Sequence, residues 1–248
     1  MTGVLRYDSI GVGYTTTRRP DPRIARSIND ALGASVSVVN VGAGTGSYEP
    51  EDRAVVAVEP SAAMVDQRAP GTAPVVRATA EHLPFPRGAF DGAMAVLTVH
   101  HWTDPTAGLA ELRRVAAGPV VVLTFDHRVH SRQWIVTDYL PEMAALDDDV
   151  PPPEEIVQAL GGGSVVVVPV PVDCLDGFCH AYWARPEAYL DPAVQSGISG
   201  IARLPRQTVA DAMARLEDDL ATGRWQDRHR ASLGTEATDA GYRLVVSS

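Results

Sequence analysis

Residues 38–50 read VVNVGAGTGSYEP, an apolar run that enters three closely spaced glycines and ends on a proline. No other stretch limits the possible folds as tightly. A glycine-rich turn directly behind an apolar strand is the ligand-binding corner of a βαβ unit, because glycine accepts positive φ and lets the backbone approach a ligand closely. A dinucleotide fingerprint is G-x-G-x-x-G, with a full helix behind it whose N-terminus carries the pyrophosphate. Here the glycines are Gly42, Gly44 and Gly46, and Ser47 occupies the third dinucleotide position. Pro50 then leaves room for about one turn of helix at most. So short a dipole holds a phosphate weakly, whereas a ligand without phosphates loses little.

The flanking chain alternates strands and helices. Residues 21–33 predict a helix capped by Asp21, with Pro22 in its first turn and Gly33 at its end. Ile24, Ile28, Ala31 and Leu32 share its inner face. Residues 36–41 and 55–58 are nearly continuous apolar runs, as expected of strands covered on both faces of a parallel sheet. Val75 and Val76 start a short third strand, residues 90–99 a fourth and 119–125 a fifth, with a helix over 104–118. This alternation predicts an α/β fold with a doubly wound, Rossmann-like sheet.

After Asp126 the rhythm breaks. Residues 164–171, SVVVVPVP, form a strand whose prolines confine it to a sheet edge. A strand between that edge and the fifth strand must hydrogen-bond on both sides, so residues 242–246 are expected inside the sheet, antiparallel, with 165–168 outside them. That makes seven strands in a single domain spanning 1–248. Residues 127–150 and 174–239 remain, rich in aromatics, and are expected to form a mostly helical cap over an apolar substrate pocket.

The net charge of −10 and pI near 5.1 argue against a nucleic-acid partner. Cys174 and Cys179 lie too few and too close in sequence to specify a zinc site or a disulfide framework, so no metal is expected. The first residues lack a signal-peptide layout, and no apolar run reaches the roughly 20 residues of a membrane helix. A cytoplasmic protein without membrane contact is the expectation.

Glu59 ends the second strand, where a carboxylate can accept from both hydroxyls of a ribose. Residues 77–105, RATAEHLPFPRGAFDGAMAVLTVHHWTDP, place Ala80 and Glu81 behind the third strand and His100 and His101 behind the fourth. Together with VVNVGAGTG, VVAVEPSAAM and LAELRRVAAGPVVVLTFD, this succession resembles the motifs of class I S-adenosylmethionine-dependent methyltransferases, in particular the small-molecule and quinone-biosynthesis branch. The resemblance spans roughly residues 7–126.

It implies S-adenosyl-L-methionine as cofactor and methyl transfer to a small molecule. It further implies that Gly42, Ala43, Gly44, Thr45 and Gly46 approach the cofactor's methionine part, that Glu59 and Pro60 meet the ribose and that Met64 packs on the adenine. Ala80 and Glu81 would lie near the adenine edge, Leu97 and Thr98 would line the cofactor, and Tyr14 would close over its methionine end. Asn40 departs from the family, which usually has an acid there. His100 and His101 read either as general bases or as packing residues. Asp126 and His127, at the mouth of the fifth strand, are candidate substrate contacts, and Trp134 and Tyr139 either line the cap's pocket or form its core. The alternatives are an NAD(P)-dependent oxidoreductase and a cofactor-binding regulator without catalysis.

Overall fold

The computed structural model describes residues 18–147, 149–231 and 233–248, so Tyr14 lies outside the described residues. Helix α1 (Pro22–Leu32) carries the caps expected of it. Asp21 accepts from the Arg23 amide at 3.0 Å, and Gly33 closes the helix at φ 56°. Ile24, Ile28 and Leu32 are buried against the sheet. Strands β1 (Ser37–Val41) and β2 (Ala54–Val58) pair in parallel, Val39 opposite Val56.

The link between β1 and β2 contains no helix, not even the single turn the sequence allows. Gly42, Gly44, Gly46 and Tyr48 all take positive φ, at 72°, 52°, 96° and 64°. A right-handed helix needs negative φ at every residue, so this alternation rules one out. The crossover is instead a coiled loop over the ends of the strands. After β2 come one helical turn, α2 (Ala62–Val65), then β3 (Val75–Val76), β4 (Gly92–Val96) and a 3-10 turn, Val99–His101. Helix α3 (Pro105–Val115) is capped by Asp104 and buries Leu109, Leu112 and Val115. It leads to β5 (Val120–Phe125), buried along its whole length.

Beyond β5, one turn, α4 (His127–His130), and α5 (Pro153–Ala159) precede β6 (Ser164–Val167). β6 is the sheet edge, exposed at all four residues. The prolines act differently from expectation: they end the edge strand rather than sit within it. Val170–Pro171 forms β7, which pairs antiparallel with β8 (Ala237–Thr238) in a separate ribbon. The last strand, β9 (Tyr242–Ser247), lies between β5 and β6 and is antiparallel to both, with Leu244 opposite Leu123 and Val166. The seven-stranded order is β3-β2-β1-β4-β5-β9-β6. The expected placement of residues 242–246 inside the sheet and of β6 outside them is what the chain adopts.

Beyond the π-helical turn Ile135–Tyr139 lie helices α6 (Pro192–Gly197), α7 (Ser199–Ala202), α8 (Arg206–Ala221) and α9 (Arg224–His229), of which α8 packs on that turn. They share a core of their own that includes Ile135, Leu140, Met143, Tyr189, Leu216 and Trp225. The segment from Cys174 to Trp183 belongs elsewhere. Cys174, Phe178, Ala181 and Trp183 join the core on one face of the sheet, with Ile28, Leu123 and Tyr242. A second core, separate from those on the sheet's two faces, is therefore built from residues 135–143 and 189–225.

Candidate functional site

The carboxyl ends of β1, β2 and β4 surround a cavity of about 970 Å³, part of it open to solvent. Open α/β sheets hold their ligands at this end. Gly42, Ala43, Gly44, Thr45, Glu59, Pro60, Met64, Ala80, Glu81, Leu97 and Thr98 all line it. Of the residues assigned to the cofactor, only Gly46 stays out among those described: it faces Glu49 and Arg68 behind the loop. Tyr48, Trp102 and Arg18 also line the cavity, residues to which the sequence assigns no role.

The glycines do different things. A Cβ on Gly42 would sit 2.0 Å from Thr98 Oγ1, so Gly42 lets the loop close against the end of β4. A Cβ on Gly44 would meet no protein atom within 4 Å. Glu59 ties the loop to β2: its carboxylate accepts from the Gly44 amide at 2.8 Å and the Ser61 amide at 2.9 Å. Burial raises its pKa above the ordinary glutamate value, against the lowering pull of these amides and of Arg68. Asn40 donates to Glu49 at 3.2 Å, while its Oδ1, buried on the cavity wall, has no hydrogen-bond partner. Glu81 accepts from the Thr103 and Asp104 amides at 2.8 and 3.2 Å and so sets the loop that carries Trp102.

A second cavity of about 640 Å³ adjoins the first. Arg18, Leu97 and His101 line both. Leu97 takes φ 49°, a strained conformation for a branched side chain, at the junction. Arg18 is fixed by a bidentate pair with buried Asp176, whose carboxylate also accepts from the Tyr48 hydroxyl at 2.8 Å. The rest of the wall includes His100, Phe125, His130, Met143, Phe178, Cys179 and Tyr242, closed by the turn 197–200 and Arg203 of the cap. Burial pushes His130 down to about 3 and His180, behind it, well below the usual histidine value, so both rings are neutral.

Asp126, His127, Trp134 and Tyr139 line neither cavity. Asp126 caps α4 and pairs with Arg128 at 2.7 Å, which together with burial of the site explains its buried carboxylate at a strand end. His127 opens that same turn. Trp134 donates to the Trp183 carbonyl at 2.8 Å and stacks edge-on with Tyr139, Tyr189 and Trp225. Tyr139 donates to Asp219 at 2.8 Å. Trp134 and Tyr139 thus belong to the second core. The residues the sequence reading missed on the second wall, His130, Phe178 and Cys179 among them, lie in segments without a recognisable local pattern.

A doubly wound sheet with an inserted antiparallel strand is the class I methyltransferase fold. Residues 39–119 match the family model of a methyltransferase domain. A candidate methyltransferase of an antibiotic biosynthesis pathway from Anabaena variabilis superposes with a TM-score of 0.88 at 30% identity, covering 94% of this chain and 99% of that one. An uncharacterized chloroplastic methyltransferase of Arabidopsis thaliana is 39% identical over 67 residues, a match that spans only 19% of that relative's length. The [4+2]-cyclase SpnF shares the fold at 17% identity and a TM-score of 0.53, covering 90% of this chain and 79% of that one. The chain belongs to the S-adenosylmethionine-dependent methyltransferases. No helix among the described residues is long and apolar enough to cross a membrane.

Proposed function

We propose that the protein transfers a methyl group from S-adenosyl-L-methionine, held in the first cavity, to a small molecule held in the second. The observation that carries this reading is the shared wall: Leu97 and His101 border both cavities, so a donor in one and an acceptor in the other meet there. The first cavity suits this cofactor. Among the described residues its lining cation, Arg18, is tied to Asp176, so no cation there is committed to clamping a phosphate as a dinucleotide requires. The orphaned Asn40 Oδ1 is an acceptor for the cofactor's ammonium, a role the family usually gives to an acid. Glu59 would hold the ribose, Met64 and Trp102 would flank the adenine, and Gly44 leaves open space for the methionine part.

When bound, the cofactor supplies a methyl carbon on a positively charged sulfur. The chain's task is then alignment and exclusion of water. Phe125, Phe178 and Tyr242 offer the acceptor an apolar wall, and His101 is placed to take its proton. The description of the Anabaena relative, an antibiotic-pathway enzyme, agrees with a small-molecule acceptor. Titration calorimetry should show binding of S-adenosylmethionine and of its demethylated product, and none of NAD. Tight NAD binding alone would overturn the reading in favour of an oxidoreductase.

The Glu59 carboxylate sets the pH dependence. Only the ionised form offers both oxygens as acceptors, so cofactor affinity is expected to fall as pH drops through its raised pKa, beginning above the ordinary glutamate range. The fold responds in the opposite sense: a raised folded pKa means that Glu59's contribution to stability is present below the ordinary value and lost as pH rises through the raised one. Glu59→Ala should weaken binding by about 1.5–3 kcal/mol, the range for hydrogen bonds to a charged group. Calorimetry across the acid range with the wild type and this variant checks both, and an unchanged affinity would remove Glu59 from the site.

A further inference from the structure

We propose that His130, Cys179 and His180 form a divalent-metal site of the zinc type, opening on the second cavity. Cys179 and His180 are neighbours in sequence and His130 comes from a distant segment, yet the ligating atoms of all three lie within 4.8 Å of one another. Neighbouring nitrogen and sulfur donors around a tetrahedral zinc ion are about 3.3–3.6 Å apart, so small side-chain rotations close the set. Two imidazoles and a thiolate are borderline-soft donors that select zinc or cobalt over magnesium or calcium.

Independent features of the site point to a ligand. His180 is buried, and its Nε2 has no hydrogen-bond partner among the described residues, an arrangement that a buried polar nitrogen rarely tolerates. The surroundings hold the donors in place. The His130 and His180 rings lie 4.0 Å apart, and His130 also packs on Phe125 at 4.5 Å. The Cys179 carbonyl accepts from the Tyr189 hydroxyl at 2.6 Å, which fixes the turn that carries the thiol. Gly241 leaves no room for a Cβ, which would lie 2.9 Å from the His130 amide, so the end of α4 is clamped against the start of β9. His130 and Cys179 line the cavity. Three protein donors with a fourth position facing a cavity is the arrangement of catalytic zinc, whereas structural zinc is enclosed by four.

Cysteine spacing predicts no metal here, because Cys174 and Cys179 are poor partners for each other. Cys174 directs its thiol to the Asp176 carbonyl instead. An ion in this site would bind the acceptor through a hydroxyl or thiol and lower its pKa, the proton passing to His101 on the same wall. That role rests on reading the second cavity as the acceptor's; metal binding itself does not.

The test uses tag-free full-length protein, stripped with a chelator and titrated with Co²⁺ in the absence of cofactor and acceptor. Uptake of one Co²⁺ per chain is expected, with a thiolate-to-cobalt charge-transfer band and the intense visible bands of a tetrahedral ion. Cys179→Ser should abolish the charge-transfer band and weaken Zn²⁺ competition by at least about tenfold. Cys174→Ser should change neither, and circular dichroism establishes that both variants are folded. Failure to take up stoichiometric Co²⁺, or a charge-transfer band that survives Cys179→Ser, overturns the site. Neither outcome touches the methyl-transfer reading, which is tested by cofactor binding.

Discussion

Gly44→Val is expected to abolish binding of S-adenosylmethionine while the protein stays folded. Gly44 lines the first cavity at φ 52°, and a Cβ built there meets no neighbouring side chain or backbone within 4 Å. A branched side chain would occupy the volume the cofactor needs. The positive φ adds strain of about 1–2 kcal/mol for a residue with a Cβ, too little to unfold an ordinary domain. Gly42 is the contrast: its Cβ would collide with Thr98 at 2.0 Å, so Gly42→Ala should damage the loop itself and lower the melting temperature. Calorimetry with S-adenosylmethionine, together with thermal melts of the two variants, separates these effects. Normal affinity in a folded Gly44→Val protein would place the cofactor elsewhere.

Arg68→Ala is expected to cost about 3–5 kcal/mol of folding stability, the range for breaking a buried ion pair and leaving the other charge uncompensated. Arg68 and Glu49 are 5% and 8% exposed, and the guanidinium meets both carboxylate oxygens at 2.8 and 2.9 Å. The same group donates to the Gly44 carbonyl at 3.2 Å and the Ala73 carbonyl at 3.1 Å, joining the glycine loop to the link that follows α2. Glu49 in turn accepts from Asn40. Arg68→Ala thus strands a buried carboxylate and loosens the loop that carries Gly44. Arg230→Ala serves as control, since its pair with Asp227 is exposed on both sides and should contribute nothing measurable. Urea unfolding of the two variants gives the comparison. A loss in Arg68→Ala no larger than the control's would mean that water reaches the pair.

A second carboxylate, Glu59, also holds the loop. With no helix between β1 and β2, amides that would have been paired within one need other partners, and Glu59 supplies one by accepting from Gly44. A short link and an acid at the end of β2 are thus mechanically connected, which the sequence shows only as two separate features.

What contiguous residues decide could be read directly. Asp21, Pro22 and Gly33 bound α1 as their capping chemistry requires, and Asp104 does the same for α3. The uninterrupted YRLVV stretch and the prolines behind VVVV placed β9 inside the sheet and β6 at its edge, because backbone pairing on both sides excludes proline. Much of the lining of the first cavity was legible too, since Gly42, Glu59, Ala80 and Leu97 close or follow a strand and parallel strands bring those ends together, whereas Arg18, ahead of α1, was not. The second cavity was not. Whether Trp134 and Tyr139 face a ligand or each other depends on how residues 135–143 pack on the helices beyond 189, which no local pattern in the sequence specifies. Likewise, nothing local joins His130 to Cys179 and His180: they meet because α4 is clamped against β9 and the turn at Cys179 is held by Tyr189. Periodicity and capping are properties of neighbours along the chain, whereas a wall assembled from distant segments exists only once the core has packed.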